Sequence, residues 1–235
     1  MCFSATASFS AGLALSAIGF AAVKKVRNPR HYMFATIPLI FAVQQFFEGL
    51  VWLSMRDDGY ESMQTISAHA FIVIAQVFWP VWVPLSIYLM EDVNSVRKKM
   101  LLFLIFIGAI ISIYVFINLF LYPISASIKD HHIYYSIHFP VYQTFYASTL
   151  YFLATVLPSF LSQYKVVRWL GVIILGAYIF SKLMFNENFI SVWCFFGAIG
   201  SLIVYINLKE IELIPRENVR SKHRKLAIHN EKIKS

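Results

Sequence analysis

Charge is scarce in this sequence. Only 14% of its 235 residues are Asp, Glu, Lys or Arg, while 59% are hydrophobic and the mean hydropathy is +0.65. A soluble domain of this size needs more charge to cover its surface, so the shortage excludes one and leaves lipid as the solvent for the excess apolar side chains. Cysteine is nearly absent, with two residues in the chain, which excludes a disulfide scaffold. No His-x3-His or Cys-x2-Cys spacing occurs. A zinc ion would therefore have to gather its ligands from several separate elements. The first residues lack a basic n-region and an A-x-A cleavage site, so they read as a first membrane helix and not as a removable signal peptide.

Long apolar runs are what the chain has in place of charge. Seven of them, near 5–23, 32–55, 65–90, 99–122, 141–161, 166–184 and 189–207, approach or exceed the roughly 20 residues that a bilayer core requires. They are too long for barrel strands, and helices satisfy every backbone polar group within hydrocarbon. The expected fold class is all-α, a seven-helix transmembrane bundle over 1–207 followed by a basic tail over 208–235. The breaks, "KKVRNPRH", "RDDGYES", "EDVNSVRKK", "YPISASIKDHHIYYSIHFP", "SQYK" and "NEN", read as loops. Pro38, Pro80, Pro84 and Pro158 fall inside the runs, where they kink a helix and free carbonyls.

The net charge of +8 sits between and after these runs, where anionic lipid attracts it, so it argues for a membrane surface and against nucleic acid. Seventeen of the 20 Lys and Arg fall in alternate breaks and the tail, leaving only Arg56, Lys129 and Lys182 on the other side. The positive-inside rule then puts the N-terminus outside and the tail in the cytoplasm, with a bacterial inner membrane as the expected location.

Orientation gives each polar side chain a depth, and most of them fall in the outer half. Gln44, Glu48 and Trp52 are spaced i, i+4, i+8 on one stripe of the second run, close to Gln45. An ionisable group in hydrocarbon costs about 2.5–3.5 kcal/mol on insertion scales, so Glu48 should face the bundle interior. His69, Gln76, Asn118, His138, Tyr142, Ser191 and Cys194 lie at the same level, and Trp79 or Trp82 should face the cavity. Glu48 is either a structural carboxyl that ties helices together or a functional one, protonated and hydrogen-bonded or ionised beside His69, His138, Lys182 or a metal. In an enzyme it would serve as acid/base, with His69 or His138 as partner or metal ligand and Cys2 or Cys194 as nucleophile or ligand. Both cysteines also have a bland reading as small buried apolar residues, and a disulfide would be permitted outside the cell. The first and last helices of a closed bundle are often neighbours, which would bring Cys2 and Cys194 to one side of the cavity.

The motifs "MCFSATASFSAG", "FFEGLVWL", "FLATVLPSFLS" and "FISVWCFF" resemble a family of small bacterial integral membrane proteins of unknown function that begin M-C-F-S-A-x-A-S-F. The resemblance runs to about residue 207 and implies that Cys2, Ser4, Glu48, Trp52, Trp193 and Cys194 belong to the signature; it implies no reaction. A looser likeness is to the seven-helix hydrolases related to alkaline ceramidases and adiponectin receptors, which bind zinc through three histidines. The last run here has no paired His to match them, nor a Lys for a rhodopsin-type Schiff base.

Three functions stand open: a membrane-embedded hydrolase or transferase acting on a lipid or amphiphile, a transporter or sensor for a small polar solute, and a structural membrane protein. In the first two, Gln44, Trp52, Gln76, Asn118, Tyr142 and Trp193 would line the ligand site. The cofactor is open, zinc being the metal that the outer His, Glu and Cys would take.

Overall fold

The computed structural model describes residues 4–56, 59–91, 96–129, 132–137, 145–185, 188–206 and 208. Helix α1 spans Ala5–Lys25, α2 Pro29–Ser54, α3 Glu61–Met90 and α4 Val96–Leu121. Helix α5 runs Phe145–Thr155 and resumes at Leu157–Leu161. Helices α6 and α7 span Lys165–Met184 and Phe189–Ile206. Six of the seven are long and apolar enough to cross a membrane, and α5 is the shorter one. The expected bundle is present. Cys2, His138, Tyr142 and the tail after 208 lie outside the described residues.

Local chemistry sets the helix ends. The Ser4 side chain caps α1 by accepting from the Ala7 N–H at 3.2 Å, and Lys24 and Lys25 close the helix against its negative end. Helix α2 opens as a 3-10 turn at Pro29–His31 and breaks at Thr36, two residues before Pro38. Helix α5 breaks at Val156, two residues before Pro158. A proline cannot donate to the preceding turn and crowds it, so each break falls just upstream.

Helix α3 departs furthest from regularity. Val73–Phe78 winds as a π-helix immediately before Pro80. The carbonyls this loosens find side-chain donors on neighbouring helices. Tyr151 Oη donates to Ala75 O at 2.5 Å, and Ser112 Oγ donates to Val77 O at 2.6 Å. Pro84 has no N–H for the Pro80 carbonyl, which packs directly onto Gly108 of α4. A Cβ at Gly108 would sit 1.9 Å from that oxygen, so only glycine fits.

One break corrects the loop reading and leaves the helical bundle as expected. Ile124–Lys129 (β1) and His132–Ile137 (β2) pair as an antiparallel hairpin, with Ile124 opposite Ile137 and Ile128 opposite Ile133. Its alternation places Ile124, Ile133, Tyr135 and Ile137 on one buried face. That face packs on the bundle, with Tyr135 stacked on Phe71 of α3 at 4.8 Å between ring centroids. Gln64 donates to Ala126 O at 2.9 Å and Asn188 to Lys129 O at 3.3 Å, tying the hairpin to α3 and to the start of α7.

Helix α1 lies along α2, and small residues set the approach: a Cβ at Gly19 would meet the Leu39 backbone nitrogen at 2.9 Å. Helix α2 also packs on α3 and α7, α3 on α4 and α5, and α6 on α5 and α7. Outward-facing Leu102, Phe106, Ile113, Phe116, Ile117 and Phe120 make α4 a broad apolar face exposed to lipid. We expect Gly108→Ala to destabilise the bundle by about 1–3 kcal/mol through overpacking against the Pro80 carbonyl. Thermal unfolding in detergent measures this, and a variant melting with the wild type would show that α3 and α4 can separate freely.

Candidate functional site

Helix α2 carries a cluster of polar groups, about one turn long, into the bundle. Gln44, Gln45 and Glu48 are each fully buried, at 0% exposure. Glu48 Oε2 accepts from Gln45 Nε2 at 3.0 Å, and Oε1 accepts from Ser191 Oγ of α7 at 2.5 Å. The carboxyl therefore links two helices far apart in sequence. Gln44 Oε1 accepts from the Trp79 indole N–H of α3 at 3.0 Å, adding a third helix. Cys194, a buried free thiol one turn along α7 from Ser191, lies beside the Gln44 amide and close to Glu48.

Around this cluster, four buried polar atoms have no hydrogen-bond partner among the described residues: Ser8 Oγ, Gln44 Nε2, Gln45 Oε1 and Trp52 Nε1. An unpaired buried polar group costs about 1–3 kcal/mol, and native structures seldom leave several together without a water or ligand. These orphaned atoms lie on α1 and on the face of α2 that carries Glu48.

A cavity of about 70 Å³ adjoins the cluster, between α2, α3, α5, α6 and α7. Phe41, Trp79, Tyr151, Trp193, Ile174 and Leu170 are among its wall residues, and along α7 the wall reaches from Cys194 to Ser201. Seven residues of α7 separate those two, a rise of about 10 Å, so the cavity is a narrow crevice. It runs from the Glu48 level away from the hairpin. The polar groups around Glu48 are packed together and the crevice that adjoins them is apolar, while a separate polar pocket of about 360 Å³ lies between the end of α2, the start of α3 and the hairpin, lined by Ser54, Glu61, Gln64 and Ser127.

The remaining candidates separate. Trp193 lines the crevice within an aromatic group, 5.6 Å from Tyr151, 5.3 Å from Tyr178 and 5.4 Å from Phe189 by ring centroids. Trp52 is buried one turn beyond Glu48, and Gln76 is buried in the π-helical stretch. Asn118 spends its amide on its own helix, donating to Tyr114 O at 2.7 Å. His69 does likewise, with Nδ1 2.7 Å from Thr65 O on the partly exposed side of α3. Lys182 lies 5.6 Å from the Phe189 ring centroid, and both oxygens of Glu48 are occupied without it. No group of three His, Cys, Asp or Glu that could hold a metal occurs among the described residues.

Sequence reasoning placed Ser191 at the right level but did not single it out; its i, i+3 spacing from Cys194 was the available signal. A second buried network went unread at the opposite end. Glu91, expected in a solvated loop, is 1% exposed and accepts from Gln163 N at 2.7 Å and Ser162 Oγ at 3.2 Å. His31 and Tyr164 meet there at 3.2 Å. These bonds clasp the α5–α6 turn to the end of α3.

The fold defines a multi-pass integral membrane protein with a buried polar cluster against an apolar crevice. The chain belongs to DUF6629, a family of unknown function whose model matches residues 1–218, in agreement with the resemblance seen in its opening and helix motifs. No curated protein and no solved structure matches it. The likeness to ceramidase-type hydrolases gains no support.

We expect Glu48→Gln to keep the helix link and lose about 1 kcal/mol, while Glu48→Ala loses about 3 kcal/mol or more by orphaning Ser191 and Gln45 and leaving a void. Melting temperatures in detergent should rank wild type, Gln, then Ala. An Ala variant as stable as the wild type would remove the linking role.

Proposed function

We propose that the protein binds a linear-chain lipid or amphiphile inside the membrane, with the chain in the apolar crevice and a polar end at Gln44 and Cys194. One observation carries this reading. The crevice wall includes Cys194, beside the Gln44 amide, whose Nε2 has no partner among the described residues. An apolar slot beside an unused donor matches an amphiphile whose head accepts a hydrogen bond. The size favours a slender occupant. Drug-sized ligands fill roughly 300–1,000 Å³, and a space of about 70 Å³ suits part of a linear chain better than a ring system.

The same reading places the Glu48 end of the bundle outside the cell. The ends of α1 and the starts of α2, α4 and α6 carry most of the described Lys and Arg, which favours that end as cytoplasmic, in contact with anionic lipid together with the tail. A transporter is less well supported, because the crevice and the polar cluster do not join into a polar path across the bundle.

Reporter fusions after Lys98 should read as cytoplasmic and one after Tyr60 as external; the reverse pattern would invert the depth assigned to Glu48. For the ligand, a linear fatty acid carrying a mid-chain diazirine should crosslink to crevice residues such as Tyr151, Trp193 or Gly197 in reconstituted vesicles. Val83→Phe, which fills the crevice, should lower the yield about tenfold or more. Crosslinks confined to the lipid-facing side of α4, unchanged in that variant, would reject an internal binding site.

A further inference from the structure

We infer that Ser191 is a nucleophile and Glu48 its general base, for cleavage of a linear-chain carboxylic ester bound in the crevice. The inference rests on the amphiphile-binding reading and adds a reaction to it. The geometry is that of an activated hydroxyl: Ser191 Oγ donates to Glu48 Oε1 at 2.5 Å, and the other oxygen of Glu48 is held by Gln45 Nε2 at 3.0 Å. Nucleophile, base and orienting group thus stand in line, all three fully buried. Gln45 thereby fixes the orientation in which the carboxylate faces Ser191.

The surroundings supply the other requirements. Cys194 is a wall residue of the crevice, and Ser191 lies three residues before it on the same helix, a rise of about 4.5 Å. Gln44, which lies just behind the crevice wall beside Cys194, carries in Nε2 a donor with no partner among the described residues, suited to a developing oxyanion. Ser191 is also in the first turn of α7, where the helix dipole favours negative charge. The aromatic wall keeps bulk water from the acyl chain.

The step balances with water as the co-reactant. Ser191 Oγ bonds to the ester carbonyl carbon as its proton passes to Glu48. The tetrahedral centre collapses, the bond from that carbon to the alcohol oxygen breaks, and the alcohol leaves with the proton from Glu48. A water molecule then gives its proton to Glu48 and its oxygen to the acyl carbon, and the acid departs as Ser191 Oγ recovers the proton.

The test uses the full chain in vesicles and a long linear alkyl fluorophosphonate, which traps an activated serine covalently. Mass spectrometry should find the adduct on Ser191, absent in Ser191→Ala and formed about a hundredfold or more slowly in Glu48→Gln. Gln45→Met should slow the rate at saturating probe without changing the half-saturating concentration, an effect that a merely structural glutamine would not produce. The diazirine fatty acid, run on every variant, reports whether the crevice is intact. Chain crosslinking with no Ser191 adduct in the wild type would overturn the nucleophile and leave the binding reading in place. Loss of both signals in the folded wild type would overturn both. An adduct on Ser191 that persists at the wild-type rate in Glu48→Gln would remove Glu48 as the base.

Discussion

A carboxyl in hydrocarbon has to be enclosed, and the enclosure of Glu48 organises one half of this molecule. Its two oxygens take one donor from its own helix and one from α7, so the first and last thirds of the chain meet at a single buried acid. Gln44 extends the link to α3 through Trp79. The hairpin packs on the adjoining core, which includes Trp52 and Cys194. Leaving such a group unsatisfied would cost several kcal/mol in a medium without water. The helices are therefore arranged around satisfying it, and the apolar crevice is the space left where α2, α3, α5, α6 and α7 diverge beyond it.

The opposite half depends on a different economy of hydrogen bonds. Prolines in α3 release carbonyls that a regular helix would satisfy, and the π-helical turn before Pro80 releases more. Tyr151 and Ser112 supply hydroxyl donors, and the Pro80 carbonyl presses onto Gly108. Trp79, which walls the crevice, sits on this distorted stretch, and Tyr151, another wall residue, bonds to it from α5. Irregular backbone in a membrane is tolerated where protein covers it, and here it shapes a potential binding surface. The Glu91 clasp on the α5–α6 turn holds the far end of the same group of helices.

Much of the fold was legible because lipid imposes a simple rule on length and polarity. The seven runs match the seven helices to within a few residues at nearly every end, and the proline breaks fall where ring geometry requires them. Of the site, the stripe of Gln44, Glu48 and Trp52 was legible from helical period alone. The hairpin was not, since two six-residue strands flanked by prolines carry too little apolar content to stand out from a loop. Nor were the partners of His69 and Asn118 foreseeable: each bonds within its own helix, a choice set by rotamer and neighbours. Glu91 looked solvated because its neighbours in sequence are polar, whereas its neighbours in space are not.

The amino-acid sequence by itself determined the solvent of this protein, the number and rough limits of its helices, and which face of α2 turns inward. Those follow from hydropathy and the 3.6-residue period, which act locally along the chain. Tertiary structure alone decided which hydroxyl meets Glu48, that a hairpin packs on that end of the bundle, and that the crevice beside the polar cluster is apolar. Such facts depend on how helices distant in sequence cross, and crossing is set by small residues, freed carbonyls and a covering hairpin acting together.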